Sequence, residues 1–250
     1  MSELEAPEQE QLVQDRAVIE TPADRAEEPV EVEIEPAPLF TGFQREPEPA
    51  RFDVRAEKPS VTFVGLSNTN ARRIVYVIDA SGSMIKALPI VLEELARSLD
   101  GLGPEQEFTV IFFSRNRAII VPPANRLIPA TAAEKRRVLG WIDENVIPAG
   151  RSNPLKAIQA ALKHKPDVIF MLSENITGSG EFEIDQRDLL ALLDTLNPYD
   201  RASGRRATRI NCVQFLDPDP LQTLLRIARE HGGEDGYKFL DRSELGLRAR

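Results

Sequence analysis

One cysteine, one tryptophan and two histidines in 250 residues are the first constraint on this chain. A single cysteine, Cys212, allows no disulfide within the chain. It lies in the apolar run Ile210 to Phe215, where a small buried hydrophobe is expected rather than a reactive thiol. The histidines, His164 and His231, each fall near the end of a helical stretch, where the macrodipole favours an imidazolium. Neither completes a Ser-His or Cys-His arrangement for nucleophilic catalysis. No run of about eighteen apolar residues is present, as a membrane-crossing helix needs, and residues 1–30 show no apolar core of a signal peptide. A cytoplasmic protein is the expectation. Also missing are a GxxxxGK[ST] phosphate loop and a GxGxxG turn after a strand. There is no internal repeat.

Negative charge is plentiful but confined. The whole chain carries a formal charge of −9. Residues 1–58 hold sixteen acidic and six basic side chains, while the remainder holds 24 and 25. The nearly neutral remainder has no basic footprint for nonspecific nucleic-acid binding. Residues 1–59 include eight prolines with few aromatics. Such a composition buries too little apolar surface to offset chain entropy, which predicts a disordered tail with at most a short helix near Glu8–Val18. The tail reads as a solubilising spacer, or as an acidic arm for a basic partner. Residues 60–250 read as one folded domain.

Within that domain, short apolar β-branched runs alternate with helical periodicity. Strands are expected at Val61–Val64, Ile74–Ile78, Phe108–Phe113, Ala118–Val121, Asp167–Leu172, Arg209–Phe215 and Tyr237–Leu240. Helices are expected from about Ile85 to Leu99, Thr131 to Val146, Pro154 to His164, Asp185 to Leu196 and Pro220 to His231. Pro89 marks a kink or late start in the first. Thr131 with Glu134 three residues on forms a capping-box pattern in the second. The segment Asn197–Thr208 reads as an exposed polar loop. This alternation implies an α/β fold: a Rossmann-like, mainly parallel sheet with one antiparallel edge strand and helices on both faces.

The chemistry gathers at Arg72 to Met84, RRIVYVIDASGSM. Its apolar run stops at Asp79, and oxygen-bearing side chains follow at Ser81 and Ser83, with Gly82 permitting a tight turn. Strand ends leading into helices are where open α/β sheets hold ligands. One carboxylate and two hydroxyls form a hard oxygen cluster suited to Mg²⁺. The alternative is a simple helix start, for which one such residue suffices.

Asp79-Ala80-Ser81-Gly82-Ser83 resembles the Asp-x-Ser-x-Ser pattern of von Willebrand factor type A domains, and the resemblance extends roughly from Val61 to Leu247. It implies a metal-ion-dependent adhesion site. The family's second element, Gly-x-Thr-x-Pro, is matched by Gly150-Arg151-Ser152-Asn153-Pro154, with Ser152 in place of the threonine ligand. Its third, an aspartate after a later strand, is replaced by Glu174, whose extra methylene displaces the carboxylate by more than about an ångström against the narrow tolerance of Mg²⁺. The resemblance thus implies a divalent cation, Mg²⁺ with Mn²⁺ or Ca²⁺ as variants, held by Asp79, Ser81, Ser83, Ser152 and Glu174. An acidic side chain of a protein partner would complete its shell; the charge of Arg151 reads either as a solvated surface charge or as a cation beside the site that favours such a partner. Two other readings remain: a metal-dependent hydrolase or phosphoryl-transfer enzyme using Asp79 and Glu174, and a scaffold that binds without metal.

Overall fold

The computed structural model describes residues 58–151, 153–174, 176 and 185–245. The tail 1–57, with its expected disorder and short helix, lies outside the described residues, and so does Ser152. The elements run β1 (Ser60–Phe63), β2 (Leu66–Thr69), β3 (Arg73–Asp79), α1 (Leu88–Asp100), β4 (Glu107–Ser114), β5 (Arg117–Ile120), β6 (Ile128–Pro129) and α2 (Ala132–Asn145). There follow α3 (Leu155–Lys163), β7 (Val168–Ser173), α4 (Gln186–Leu196), β8 (Tyr199–Asp200), β9 (Arg205–Arg206), β10 (Arg209–Leu216), α5 (Thr223–Ile227) and β11 (Tyr237–Asp241).

Among the described residues the main sheet has seven strands, in the order β11-β10-β7-β3-β4-β5, with β6 pairing beside β4. β3 runs parallel to both neighbours, β4 and β7. β5 is the expected antiparallel edge, and the two-residue β6 adds an antiparallel bridge at the start of β4. The turn between β4 and β5 places Arg115 and Asn116 at φ +49° and +56°, the twist that a two-residue hairpin loop requires.

The central strand shows why the fold holds. Ile74, Tyr76 and Ile78 enter one apolar layer with Leu95 of α1 and Ile142 of α2. Val75 and Val77 enter the other with Ile158 of α3 and Leu193 of α4. A strand buried on both faces must be apolar throughout, and every residue from Ile74 to Asp79 is buried. Asp79 is therefore the exception, a carboxylate with no exposed surface.

Three local expectations change, and the late start that Pro89 marked in the first helix is borne out. β1 does not join the main sheet; it pairs with β2 in a separate antiparallel ribbon. Phe63 from that ribbon packs edge-on against Tyr76 and Phe170, with ring centroids 5.2 and 5.5 Å away. The first helix begins late: Gly82–Lys86 is a 3₁₀ turn, and α1 starts at Leu88 with Pro89 in its first turn, the position where proline's missing N–H goes unneeded. The polar segment Asn197–Thr208 is anchored, not simply exposed. Its ends, Asn197 and Thr208, are buried and doubly hydrogen-bonded to each other at 2.7 and 3.1 Å. The last helix is shorter than Pro220–His231, because Gln222 takes a left-handed conformation at φ +53° and the chain widens into a π turn at Ala228–Gly232.

Candidate functional site

The parallel register brings the carboxyl ends of β3, β4 and β7 together. Three stretches meet there: the turn after β3, the loop from Val146 to Pro154, and the end of β7. Backbone hydrogen bonds fasten the first two. Gly82 N–H donates to the Gly150 carbonyl at 2.8 Å, and Ala149 N–H to that of Ala80 at 3.0 Å. Ser114 Oγ–H donates to the Ala149 carbonyl at 2.5 Å, and Arg115 N–H to that of Arg151 at 2.8 Å. Gly150 sits at φ +67°, and a Cβ there would meet Arg115 Cγ at 2.6 Å. Only glycine fits that position without displacing a neighbour.

Asp79 is held from two sides. Its Oδ1 accepts from Ser81 N–H at 2.7 Å, and its Oδ2 accepts from Ser173 Oγ–H at 2.5 Å. Ser81 is buried while Ser83 is exposed, and their hydroxyl oxygens lie 3.1 Å apart. Two adjacent ligands of octahedral Mg²⁺, each about 2.1 Å from the ion, would stand ~3.0 Å apart. The 3.1 Å spacing is that of a hydrogen bond between the two hydroxyls, and it is also compatible with that shell.

The remaining expected site residues are placed unevenly. Ser152 lies outside the described residues, although Gly150, Arg151 and Asn153 on either side of it belong to the fastened loop. Glu174 stands half-buried one residue past β7. It is near Arg242, whose guanidinium is held above its ordinary range first by its bonds to Asp217 and further by the Glu174 charge. Arg151 is exposed at the mouth.

Ser173 was not singled out by its sequence context as a site residue, yet it touches Asp79. The legible signal was register. With Ile78 opposite Leu172, the next residues on two parallel neighbours are Asp79 and Ser173.

The histidines depart from expectation. Burial, helped by the Arg73 charge, lowers the pKa of His164. Burial and then Arg206 push that of His231 down to about 4, against a weaker pull from Asp194. Both favour the neutral ring, because desolvation outweighs the helix dipole.

His231 belongs to a second cluster, with Asp194 and Glu230, whose ligand atoms lie within 4.8 Å of one another. Its chemistry suits a cation poorly. Arg206 Nη2 already pairs with Asp194 Oδ1 at 2.6 Å. The Asn197 amide, oriented by Thr208, points its Nδ2–H at His231 Nδ1 at 3.4 Å. Nδ1 is then the acceptor, and Nε2 carries the proton toward Asp194, 3.8 Å away.

A Rossmann-like α/β domain with an oxygen cluster at the carboxyl edge of its central strand is thus the class of protein in hand. No protein-family profile matches the sequence, and no curated protein matches it. Solved structures do. A von Willebrand factor type A protein from Catenulispora acidiphila is 13% identical, with a TM-score of 0.45, over 74% of this chain and 51% of that one. The pilus adhesin SpaC from Lactobacillus rhamnosus GG, in its open conformation, is 15% identical, with a TM-score of 0.47, over 68% of this chain and 28% of that one. The ArnB paralog VWA2 from Sulfolobus acidocaldarius is 16% identical, with a TM-score of 0.42, over 75% and 50%. The chain is similar in fold to these proteins, and it spans about half the length of the first and third.

Proposed function

We propose that this chain is a binding module, not an enzyme. A divalent cation at Asp79, Ser81 and Ser83, with Ser152 and Glu174 from the neighbouring loops, accepts an acidic side chain of a partner protein. The observation that carries the reading is the fully buried Asp79 carboxylate at a strand end, with the hydrogen-bonded Ser81 and Ser83 hydroxyls on the turn that follows. Mg²⁺ is the proposed ion, with Mn²⁺ and Ca²⁺ as substitutes. An ion held by few protein oxygens keeps positions that a partner's carboxylate can fill. Lys86, Arg115 and Arg151, all exposed on the fastened turns, add positive charge around the mouth and favour an acidic partner. Supporting binding over turnover, neither histidine belongs to the loops around Asp79. A cytoplasmic setting belongs to the same proposal, in keeping with the lone buried Cys212. Recovery of the native protein from membranes or culture medium would overturn that part.

The test is calorimetric titration of the whole chain with Mg²⁺, Mn²⁺ and Ca²⁺, with acetate present as a carboxylate mimic. Saturable binding that disappears in Asp79→Ala is expected, with a reduced affinity in Glu174→Ala. If no ion binds, the domain is a metal-independent scaffold. Turnover of a generic phosphoester, lost in Asp79→Ala, would instead make it an enzyme.

A further inference from the structure

The opposite end of the sheet holds a cleft of about 780 Å³. It opens where β7 and β10 begin, at Asp167–Val168 and Arg209, and the end of the β1–β2 ribbon walls one side. Asp79 lies at the far end of strands six to eight residues long, about 20 Å away at ~3.3 Å per residue. Four arginines line the cleft, Arg205, Arg206, Arg209 and Arg229, against two carboxylates, Asp167 and Glu230. Asp167 is already engaged by the backbone N–H groups of Arg72 and Arg73 at 2.8 and 2.9 Å.

The guanidinium groups differ in how much they have left to offer. Arg206 is used structurally: it donates to the Asn197 and Glu230 carbonyls at 2.6 and 2.9 Å and pairs with Asp194. Arg209 donates once, to the Gly232 carbonyl at 3.1 Å. Among the described residues Arg229 has no hydrogen-bond or ion-pair partner, and it is exposed with Arg205 and Arg209. A planar fork of donors with unused N–H groups matches phosphate oxygens.

A second observation is independent of charge. Among the described residues the buried side-chain atoms without a partner are Asn68 Nδ2, Asn68 Oδ1, Asn211 Oδ1 and His231 Nε2. Asn68 and His231 line this cleft, whereas Asn211 does not, and His231 Nε2 faces Asp194 Oδ1 at 3.8 Å. Asn68 is only 2% exposed and occupies an inward position of β2, the place the alternation reserves for an apolar side chain like Leu66. An orphaned buried amide is destabilising, and native proteins hold few of them. The Asn68 amide, with both polar atoms unpaired in a residue that borders the arginine-lined cleft, is the one that a cleft ligand would resolve.

We infer that this cleft binds a phosphorylated small molecule: the phosphate on Arg229, Arg205 and Arg209, and a hydroxyl- or amide-bearing body met by the Asn68 amide once its side chain turns out of its buried position. The volume lies within the range of small-molecule sites, and the exposed Tyr199 ring at the lining offers a face for a flat group. The site is separate from the proposed metal centre and does not depend on it.

The experiment is titration of the whole chain with ADP, pyrophosphate and citrate in metal-depleted, low-salt buffer. ADP should bind saturably and more tightly than pyrophosphate. The Arg205→Gln/Arg229→Gln pair should weaken it by about tenfold or more, and Asp79→Ala should leave it unchanged. Asn68→Leu should weaken ADP severalfold while leaving the unliganded protein as stable as before or more so, since it removes two orphaned atoms. An ADP-dependent shift of the Asn68 side-chain amide resonance is expected in the wild type. Absence of saturable binding by ADP and pyrophosphate, binding unaltered in the arginine pair, or citrate binding as tightly as ADP would each overturn the proposal.

Discussion

Tyr76, wholly buried on the central strand, shows how one hydroxyl commits its neighbours. Its Oη lies 2.7 Å from Ser98 Oγ, and Ser98 donates its own hydrogen to the Thr62 carbonyl at 2.6 Å. Tyr76 must therefore be the donor to Ser98, and burial pushes its pKa further up. Tyr76→Phe removes one donor and should cost about 1 kcal/mol. Ser98→Ala strands both the phenol and the carbonyl and should cost more, about 2–3 kcal/mol; urea unfolding of the two variants checks the order. His231 gives a pH signature. Its folded pKa of about 4 lies below the ordinary 6.5, so the unfolded chain takes up the proton first as pH falls. Its contribution is present above pH 6.5 and lost toward pH 4, up to about 3 kcal/mol. Asp194, Arg206 and the Asn197 amide face the ring. Denaturant melts from pH 7 to 4 should show a shallower loss in His231→Gln, and an equal slope would refute this assignment.

Loops fix the candidate site more than helices do. The turn after β3 ends in a short 3₁₀ piece without a side-chain cap, so its geometry comes from cross-loop bonds, above all Gly82 N–H to the Gly150 carbonyl. Gly150→Ala forces a side chain into φ +67° against Arg115. It should destabilise the domain by about 1–2 kcal/mol and weaken Mg²⁺ binding, because the turn that holds Ser81 and Ser83 loses its anchor. Paired thermal melts and calorimetry check this; unchanged Mg²⁺ affinity would detach the second loop from the site. The hydrogen bond that caps α2, Thr131 Oγ1 accepting from Glu134 N–H at 3.3 Å, has no such role, and Thr131→Ala should cost about 1 kcal/mol with no change in ion binding.

For the molecule as a whole, the two proposals fall at opposite ends of one mainly parallel sheet, a cation centre at the carboxyl ends and an anion cleft at the amino ends. Ligands that bind only the folded state raise stability by mass action. Mg²⁺ at a hundredfold excess over its dissociation constant should add about 2.7 kcal/mol. Melting should rise by several degrees in the wild type and not at all in Asp79→Ala, as differential scanning calorimetry would record. ADP should stabilise both alike, which separates the sites in one experiment.

The alternation of apolar strands and periodic helices was enough to define the layered α/β fold, since a strand covered on both faces has to be apolar throughout. The same reasoning located Asp79, Ser81 and Ser83, because a carboxylate at the end of such a strand interrupts an otherwise continuous pattern. The Thr131 cap and the β4–β5 hairpin were legible because their determinants lie within a few residues. Contacts between distant segments were not. Ser173 meets Asp79 through strand register, β1 leaves the sheet to pair with β2, and both histidines lose their protons' advantage to burial. The segment 197–208 was legible only as a polar loop, and the cleft that its arginines line is assembled from the β1–β2 ribbon, the β7 entrance and the turn after α5. Local spacing carries the information for elements and turns; desolvation and cross-strand neighbours are set only when remote segments pack, and those decided the chemistry of both ends.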